Sequence, residues 1–257
     1  MTRRIAFDGI DNFRDFGDYP GARGHLKRGV LYRSAHHANA TDQDLEALAK
    51  LGVSVIVDLR RPNERERDVS RRWRNFNATV IDNDIGQGAD DEFYAFLVST
   101  EITEASVRDY MTGYYEKAPL VERHLDLYTR YFQSLADTDG AMLVHCAAGK
   151  DRTGIICALT HHIAGVNDDD IVEDYLLTND PVRLALRTPQ VAERIQEATG
   201  RLPSEDAVRA AISVEASYLE AAFKAMRETH GSLDGYLEKA LGLTPELRAK
   251  VEAKIVA

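Results

Sequence analysis

The residues with the clearest chemistry lie together in one short stretch, His145-Cys146-Ala147-Ala148-Gly149-Lys150-Asp151-Arg152-Thr153-Gly154. It follows the apolar run Ala141–His145 and precedes the sparsely polar segment Gly154–Val166, so it reads as strand, loop, helix. A loop entering a helix meets unpaired backbone N–H groups and the positive end of the helix dipole, which together favour an anion. Small residues at 147–149 let successive N–H groups turn inward as a nest. Arg152 stands six positions after Cys146, close enough in a curled loop to fork onto two oxygens of a phosphate. The dipole, the N–H groups and the guanidinium also favour the thiolate form of a cysteine at the base of such a cup. A thiolate facing a tetrahedral phosphoryl group implies transfer to sulfur and then hydrolysis of the thiophosphate. Cys146 is therefore the expected nucleophile, and residues 147–152 the phosphate cradle. His145 is expected to brace the loop from behind, and Thr153 to offer a hydroxyl hydrogen to the sulfur.

This loop resembles the signature of cysteine-dependent protein tyrosine phosphatases: His-Cys, five residues, then Arg followed by Ser or Thr. Further runs are similar to a bacterial tyrosine-phosphatase-like family, of the mycobacterial phosphatase B and Listeria lipid phosphatase type. They are Asn12-Phe13-Arg14-Asp15, Leu31-Tyr32-Arg33-Ser34, Asp58-Leu59-Arg60 and the pair Lys150-Asp151, with Asp174-Tyr175-Leu176 and Gly231-Ser232-Leu233 towards the C-terminus. The resemblance spans nearly the whole chain. It implies a metal-independent phosphomonoester hydrolase without a cofactor, acting on phosphotyrosine proteins and on phosphoinositides, with phosphate as product and inhibitor. It also implies that Asp151, inside the cup, is the proton donor. The sequence holds no Trp-Pro-Asp, its one tryptophan being Trp73, and Asp82 and Asp84 after the strand near Ile81 are alternative donors. Lys150 would set an ammonium on the rim, where a second anionic group of a substrate gains from it. The same likeness makes helices within 90–118 and 181–212 candidates for a lid. Two other readings stand beside this one: a dedicated phosphoinositide or inositol-phosphate phosphatase, and a non-catalytic phosphate binder. The intact Cys146, Arg152 and Thr153 speak against the latter.

The elements that must hold this loop follow from pattern. Val53–Leu59 is a β-branched run suited to a buried parallel strand, with Val30–Arg33, Ala78–Ile81 and Ala141–His145 as shorter candidates. Thr41 and Asp44 form a capping-box pattern for a helix that Gly52 ends. Residues 103–117 and 119–136 carry apolar residues at helical spacing, with Pro119 suited to a helix start. Helices dominate after residue 152, the last opened by Thr244-Pro245-Glu246. The expected class is α/β, a central and mostly parallel sheet flanked by helices. A single phosphatase domain over 1–257 is expected, its sheet within 1–165 and its helical half at 166–257. Asn12, Arg14 and Asp15 suit a structural corner, and Asp58 with Arg60 suits a buried salt bridge. Cys157, His161, His162, Tyr110, Tyr114 and Tyr115 read as core or structural residues.

Composition bounds the partners. The 257 residues carry 32 basic and 42 acidic side chains, a net charge of −10, which disfavours nucleic acid and anionic membranes. The basic residues cluster in Arg60, Arg61, Arg65, Arg67, Arg71, Arg72 and Arg74. Most of these suit a solvated face, with one or two turned towards a site. No apolar stretch reaches the length of a membrane span. The basic start Met1-Thr2-Arg3-Arg4 is followed at once by acidic residues rather than an export signal. Two cysteines without zinc-ligand company suit a reducing compartment, so a cytoplasmic location is expected, with secretion lacking an ordinary signal as the other route.

Overall fold

The computed structural model describes residues 3–86 and 92–257. The start of the N-terminal basic motif, Met1-Thr2, and the first residues of the 90–118 lid candidate lie outside the described residues.

A five-stranded sheet organises the chain, in the order β1-β4-β7-β5-β6. These strands are β1 (Arg14–Asp15), β4 (Leu31–Ser34), β5 (Val53–Asp58), β6 (Thr79–Ile81) and β7 (Ala141–His145), and a separate hairpin pairs β2 (Pro20–Gly21) with β3 (Gly24–His25). β4, β7, β5 and β6 are parallel, and β1 runs antiparallel to β4. The sheet is thus mostly parallel and flanked by helices, as its β-branched strands imply. Register places Ser34, His145 and Asp58 side by side at the carboxyl ends of β4, β7 and β5. That edge is where open α/β sheets form their sites.

The two faces of the sheet bury different residues, as period-two alternation requires. Val55, Val57, Met142 and Val144 join the larger core, with Tyr128 and Phe132 of α5 (Glu122–Asp137) and Ile155 and Leu159 of α6 (Asp151–Ala164). Val53, Ile56, Ala141 and Leu143 face Leu45 and Leu48 of α1 (Asp42–Ala49), with Trp73. Val53 joins the Ile56 side because the register slips between Val53 and Val55. α1 opens on the expected capping box: Thr41 Oγ1 accepts from Asp44 N, and Asp44 Oδ2 accepts from Thr41 N.

Helices supply the remaining elements: α2 (Pro62–Arg67), α3 (Glu92–Ser99), α4 (Glu104–Lys117), α7 (Asp168–Leu176), α8 (Pro181–Thr199), α9 (Glu205–Ile212), α10 (Ala216–His230), α11 (Leu233–Lys239) and α12 (Pro245–Ile255). α3, α8 and α9 share a small core of their own around Leu97, Ile195 and Val208, with Phe93, Phe96 and Val191 packed on it. Pro119 does not open α5. It sits in a 3-10 turn at 118–120, where its carbonyl accepts the Tyr236 hydroxyl at 2.6 Å and that of Ala118 faces His124 Nδ1 at 2.7 Å, and α5 begins after Val121. No helix among the described residues is long and apolar enough to cross a membrane.

Candidate active site

Cys146 is the first residue after the central strand β7 and is 1% exposed. The loop that follows is shaped by its carbonyls. The carbonyl of Ala147 accepts from His36 N at 3.2 Å, and those of Ala148 and Gly149 accept from Asn12 Nδ2 at 3.3 and 2.8 Å. Arg33 Nη2 also donates to Gly149 O, at 3.0 Å. With its carbonyls drawn outward onto the frame, each trans peptide turns the next residue's N–H the other way, towards the cup. Gly149 adopts φ +64°, and a Cβ there would lie 2.4 Å from Ser34 C and O, so only glycine fits against the end of β4. α6 then starts at Asp151 and leaves its first-turn N–H groups without intrahelical partners.

The frame is itself a buried ion network. Arg14 and Arg33 both pair with Asp174, at 3.0 and 2.7 Å, and Arg14 Nη1 donates to Asn12 Oδ1 at 2.6 Å. Burial raises the Asp174 carboxyl, but the two guanidiniums outweigh it and hold the group well below the usual carboxylate range. Asn12 and Arg14 are therefore the expected corner, with the added task of gripping the loop. Asp15 completes it by accepting from Gly17 N and Gly29 N.

Arg152 is fixed end-on by Glu64 of α2: Nη1 meets Oε2 at 2.5 Å and Nη2 meets Oε1 at 2.8 Å. Nη1 also donates to Leu59 O at 3.0 Å, which leaves the Nε edge without a protein acceptor among the described residues. Burial pushes the Glu64 carboxyl up, but Arg152 beside it prevails and holds it at about 2. Sequence reasoning missed Glu64. It stands within the arginine-rich stretch, where nothing local marks it from Glu66 or Asp68.

Below the cup, His145 is wholly buried between Asp58, with Nε2 3.7 Å from Oδ2, and the carbonyl of Cys146. Burial lowers its imidazole to about 4, although Asp58 opposes the shift, so it is neutral. Asp58 and Arg60 form the buried salt bridge expected of them, at 2.7 Å. Thr153 Oγ1 is buried and bonds neither the sulfur nor any other described group.

Asp151 sits on the lip, its Oδ1 accepting from Tyr115 Oη at 2.8 Å, and Tyr175 Oη donates on to Tyr115 Oη at 2.6 Å. Asp82 and Asp84 instead pair with Arg65, with side chains 44% and 67% exposed, and neither lines the cavity above the loop. Lys150 departs from expectation. It is 4% exposed, and its Nζ donates to Ala211 O and Ser213 O at 2.6 and 3.2 Å, because the end of α9 presents its unpaired carbonyls there. The ammonium is thus a tie between loop and α9 rather than an open rim charge, and burial lowers its proton affinity.

The cavity over the loop has a volume of about 300 Å³ and is floored by Ala148, Lys150, Asp151 and Arg152. Phe93, Tyr110, Met111, Tyr114 and Val191 form an apolar wall, and Arg61, Arg67, Arg183 and Arg187 a basic one. Its roof comes from α3, α4, α8 and α9, the segments expected as a lid. Tyr110 and Tyr114 pack against the larger core, as their spacing implies, and also line this space, whereas Tyr115 is fully buried. Of the seven clustered arginines, Arg61 and Arg67 face the site. Cys157 is the expected core thiol, buried and pushed up to about 12 by its burial. His161 Nε2 lies 2.7 Å from Phe16 O, and His162 faces Asp234.

This cup and its cavity belong to a phosphatase: residues 5–257 match the model of the tyrosine phosphatase family, and the chain is a member of that family of enzymes. It is 33% identical over 242 residues to a protein of Cupriavidus necator assigned as a tyrosine-protein phosphatase, covering 92% of this chain and 84% of that one. It is also 33% identical over 268 residues to the triple specificity protein phosphatase PtpB of Mycobacterium tuberculosis, covering 90% of this chain and 92% of that one. The match to a crystal structure of P. aeruginosa TpbA covers 76% of this chain and 96% of that one at 17% identity, with a TM-score of 0.32.

Proposed function

We propose that the protein hydrolyses phosphate monoesters, phosphotyrosine in proteins first among them, through a cysteinyl-phosphate on Cys146. The observation that carries this is the loop itself: outward-held carbonyls, a buried cysteine at the base, and a guanidinium clamped by Glu64 with one edge left over. The substrate phosphate takes the inward N–H groups and the Nε edge of Arg152. Cys146 Sγ bonds to phosphorus as the ester O–P bond breaks, and Asp151 passes its proton to the departing oxygen. A water then attacks phosphorus and the S–P bond breaks. The Asp151 carboxylate takes the water's proton, and inorganic phosphate leaves. The buried Thr153 hydroxyl, having no other partner among the described residues, suits a donor to the returning thiolate. The apolar wall of Phe93, Tyr110, Met111 and Tyr114 suits the ring of a phosphotyrosine. The test is hydrolysis of p-nitrophenyl phosphate in EDTA by the wild type and by Cys146→Ser. Activity that needs metal, or that survives the substitution, refutes the cysteine route.

One observation favours phosphoinositides as further substrates. Arg61, Arg67 and Arg187 line the same cavity, where a second phosphate of the substrate would meet them. Lys150, tied to α9, is less suited to that task than the sequence implies. Arg67→Ala and Arg187→Ala are expected to lower turnover of a phosphoinositide more than that of a phosphotyrosine peptide. Equal losses on both substrates would count against the lipid reading.

A further inference from the structure

Two buried phenols stand in line behind Asp151, and the reaction outlined above uses neither. Tyr115 projects from α4 and Tyr175 from α7, and both are 1% exposed or less. The direction of the chain is set by its end: Asp151 Oδ1 accepts from Tyr115, so the Tyr115 oxygen accepts from Tyr175. Burial raises both phenols far above their ordinary range, so they stay neutral donors throughout the working range of an enzyme. Tyr218 stacks on Tyr115 at 5.5 Å and 27°, which holds the ring plane, and Gly154 of α6 admits the Tyr175 ring, since a Cβ there would lie 2.7 Å from it.

We infer that Tyr115, backed by Tyr175, is a positioning residue for the proton transfer made by Asp151. The inference rests on the reading of Asp151 as proton donor. With Oδ1 taken by the hydrogen bond from Tyr115 at 2.8 Å and faced by the Lys150 ammonium at 3.5 Å, the transferable proton sits on Oδ2, the oxygen with no protein partner among the described residues. As that proton leaves for the ester oxygen, charge grows on the carboxylate and the bond from Tyr115 strengthens with it. The interaction is therefore worth more in the transition state than in the ground state. Donation from Tyr175 polarises the Tyr115 hydroxyl in the same direction.

The consequence is selectivity by leaving group. A phenol or alcohol needs its proton, whereas nitrophenolate leaves without one. The quantity to read is kcat/KM, which reports the steps up to leaving-group departure. Tyr115→Phe is expected to lower it roughly 10- to 100-fold on phenyl phosphate, the scale of one hydrogen bond to a charged group, and by no more than about threefold on p-nitrophenyl phosphate. Inhibition by vanadate should be unchanged, because Tyr115 donates to the carboxylate and not to the anion. In an Asp151→Asn background the same substitution should have no effect. Tyr115→Phe strands the Tyr175 hydroxyl in the core, so the double variant Tyr115→Phe/Tyr175→Phe, which removes both hydroxyls and keeps the packing, repeats the test if the single one folds poorly. A loss equal on both substrates, a loss that persists with Asp151→Asn, or weakened vanadate binding would show a merely structural role and overturn the inference. Failure of the underlying reading looks different: Asp151→Asn alone would then treat phenyl and nitrophenyl phosphate alike.

Discussion

Replacing Glu64 by glutamine puts the clamp on Arg152 to the test. The pair is nearly buried, with side-chain exposures of 12% for Arg152 and 15% for Glu64. Two nearly parallel N–H···O bonds join the groups. The Glu64 carboxyl is held at about 2 against an ordinary 4.5. At about 1.4 kcal/mol per unit, that displacement corresponds to about 3 kcal/mol of native-state stabilisation. The sign follows from the direction. A carboxyl depressed in the folded state contributes fully above its unfolded value near 4.5, and the contribution is lost as pH falls towards 2. Glu64→Gln at neutral pH should therefore lower the melting temperature by roughly 6–12 °C, taking about 2–4 °C per kcal/mol for a chain of this size. It should also raise KM for p-nitrophenyl phosphate, because an unclamped guanidinium must be ordered by the substrate. Differential scanning fluorimetry from pH 7 down to 3 gives a second reading. The gap between wild type and variant should narrow as pH falls. A variant that melts with the wild type at neutral pH and keeps its KM would refute the clamp.

Three further outcomes follow from the frame. Gly149→Ala should abolish vanadate binding in a calorimetric titration, since its Cβ would sit 2.4 Å from the Ser34 backbone in a φ +64° conformation. Asp174→Asn leaves Arg14 and Arg33 buried against each other without their counter-charge, and should cost about 3–5 kcal/mol in urea unfolding. Cys157→Ala should leave turnover unchanged, and mass spectrometry after iodoacetate treatment near neutral pH should find Cys146 alkylated and Cys157 intact, its thiol being pushed up to about 12 in the core helix α6.

The parts of the site that sequence reveals are those close together in the chain. Cys146 and Arg152 share one loop, the strand before it is short and apolar, and the sheet and helices follow from pattern, while the placing of helices over the pocket follows from the family resemblance. What stays hidden is set by pairings across the fold. Glu64 reaches Arg152 from 88 residues away, Tyr115 reaches Asp151 from 36, and Arg33 reaches Asp174 from 141. No local pattern distinguishes Glu64 from Glu66, or Tyr115 from Tyr114, although one of each pair turns inward. Lys150 shows the same limit from the other side. Its position in the loop is legible, but the carbonyls that bury it come from the end of α9, 61 and 63 residues on. β1, β2 and β3 are two residues long and carry too little periodicity to be read at all.

The grip of Asn12 and Arg33 on the loop carbonyls also orders events in time. The signature loop lies just past the middle of the chain, while Asn12 and Arg33, the donors that shape it, come 137 and 116 residues earlier. Arg14 and Arg33 in turn need Asp174, which leaves the ribosome after the loop itself. Closing such distant contacts is entropically slow. The cup thus takes shape only once Asn12, Arg33 and Asp174 have docked around it, so a chain that stops before Asp174 carries the complete motif without the frame that shapes it.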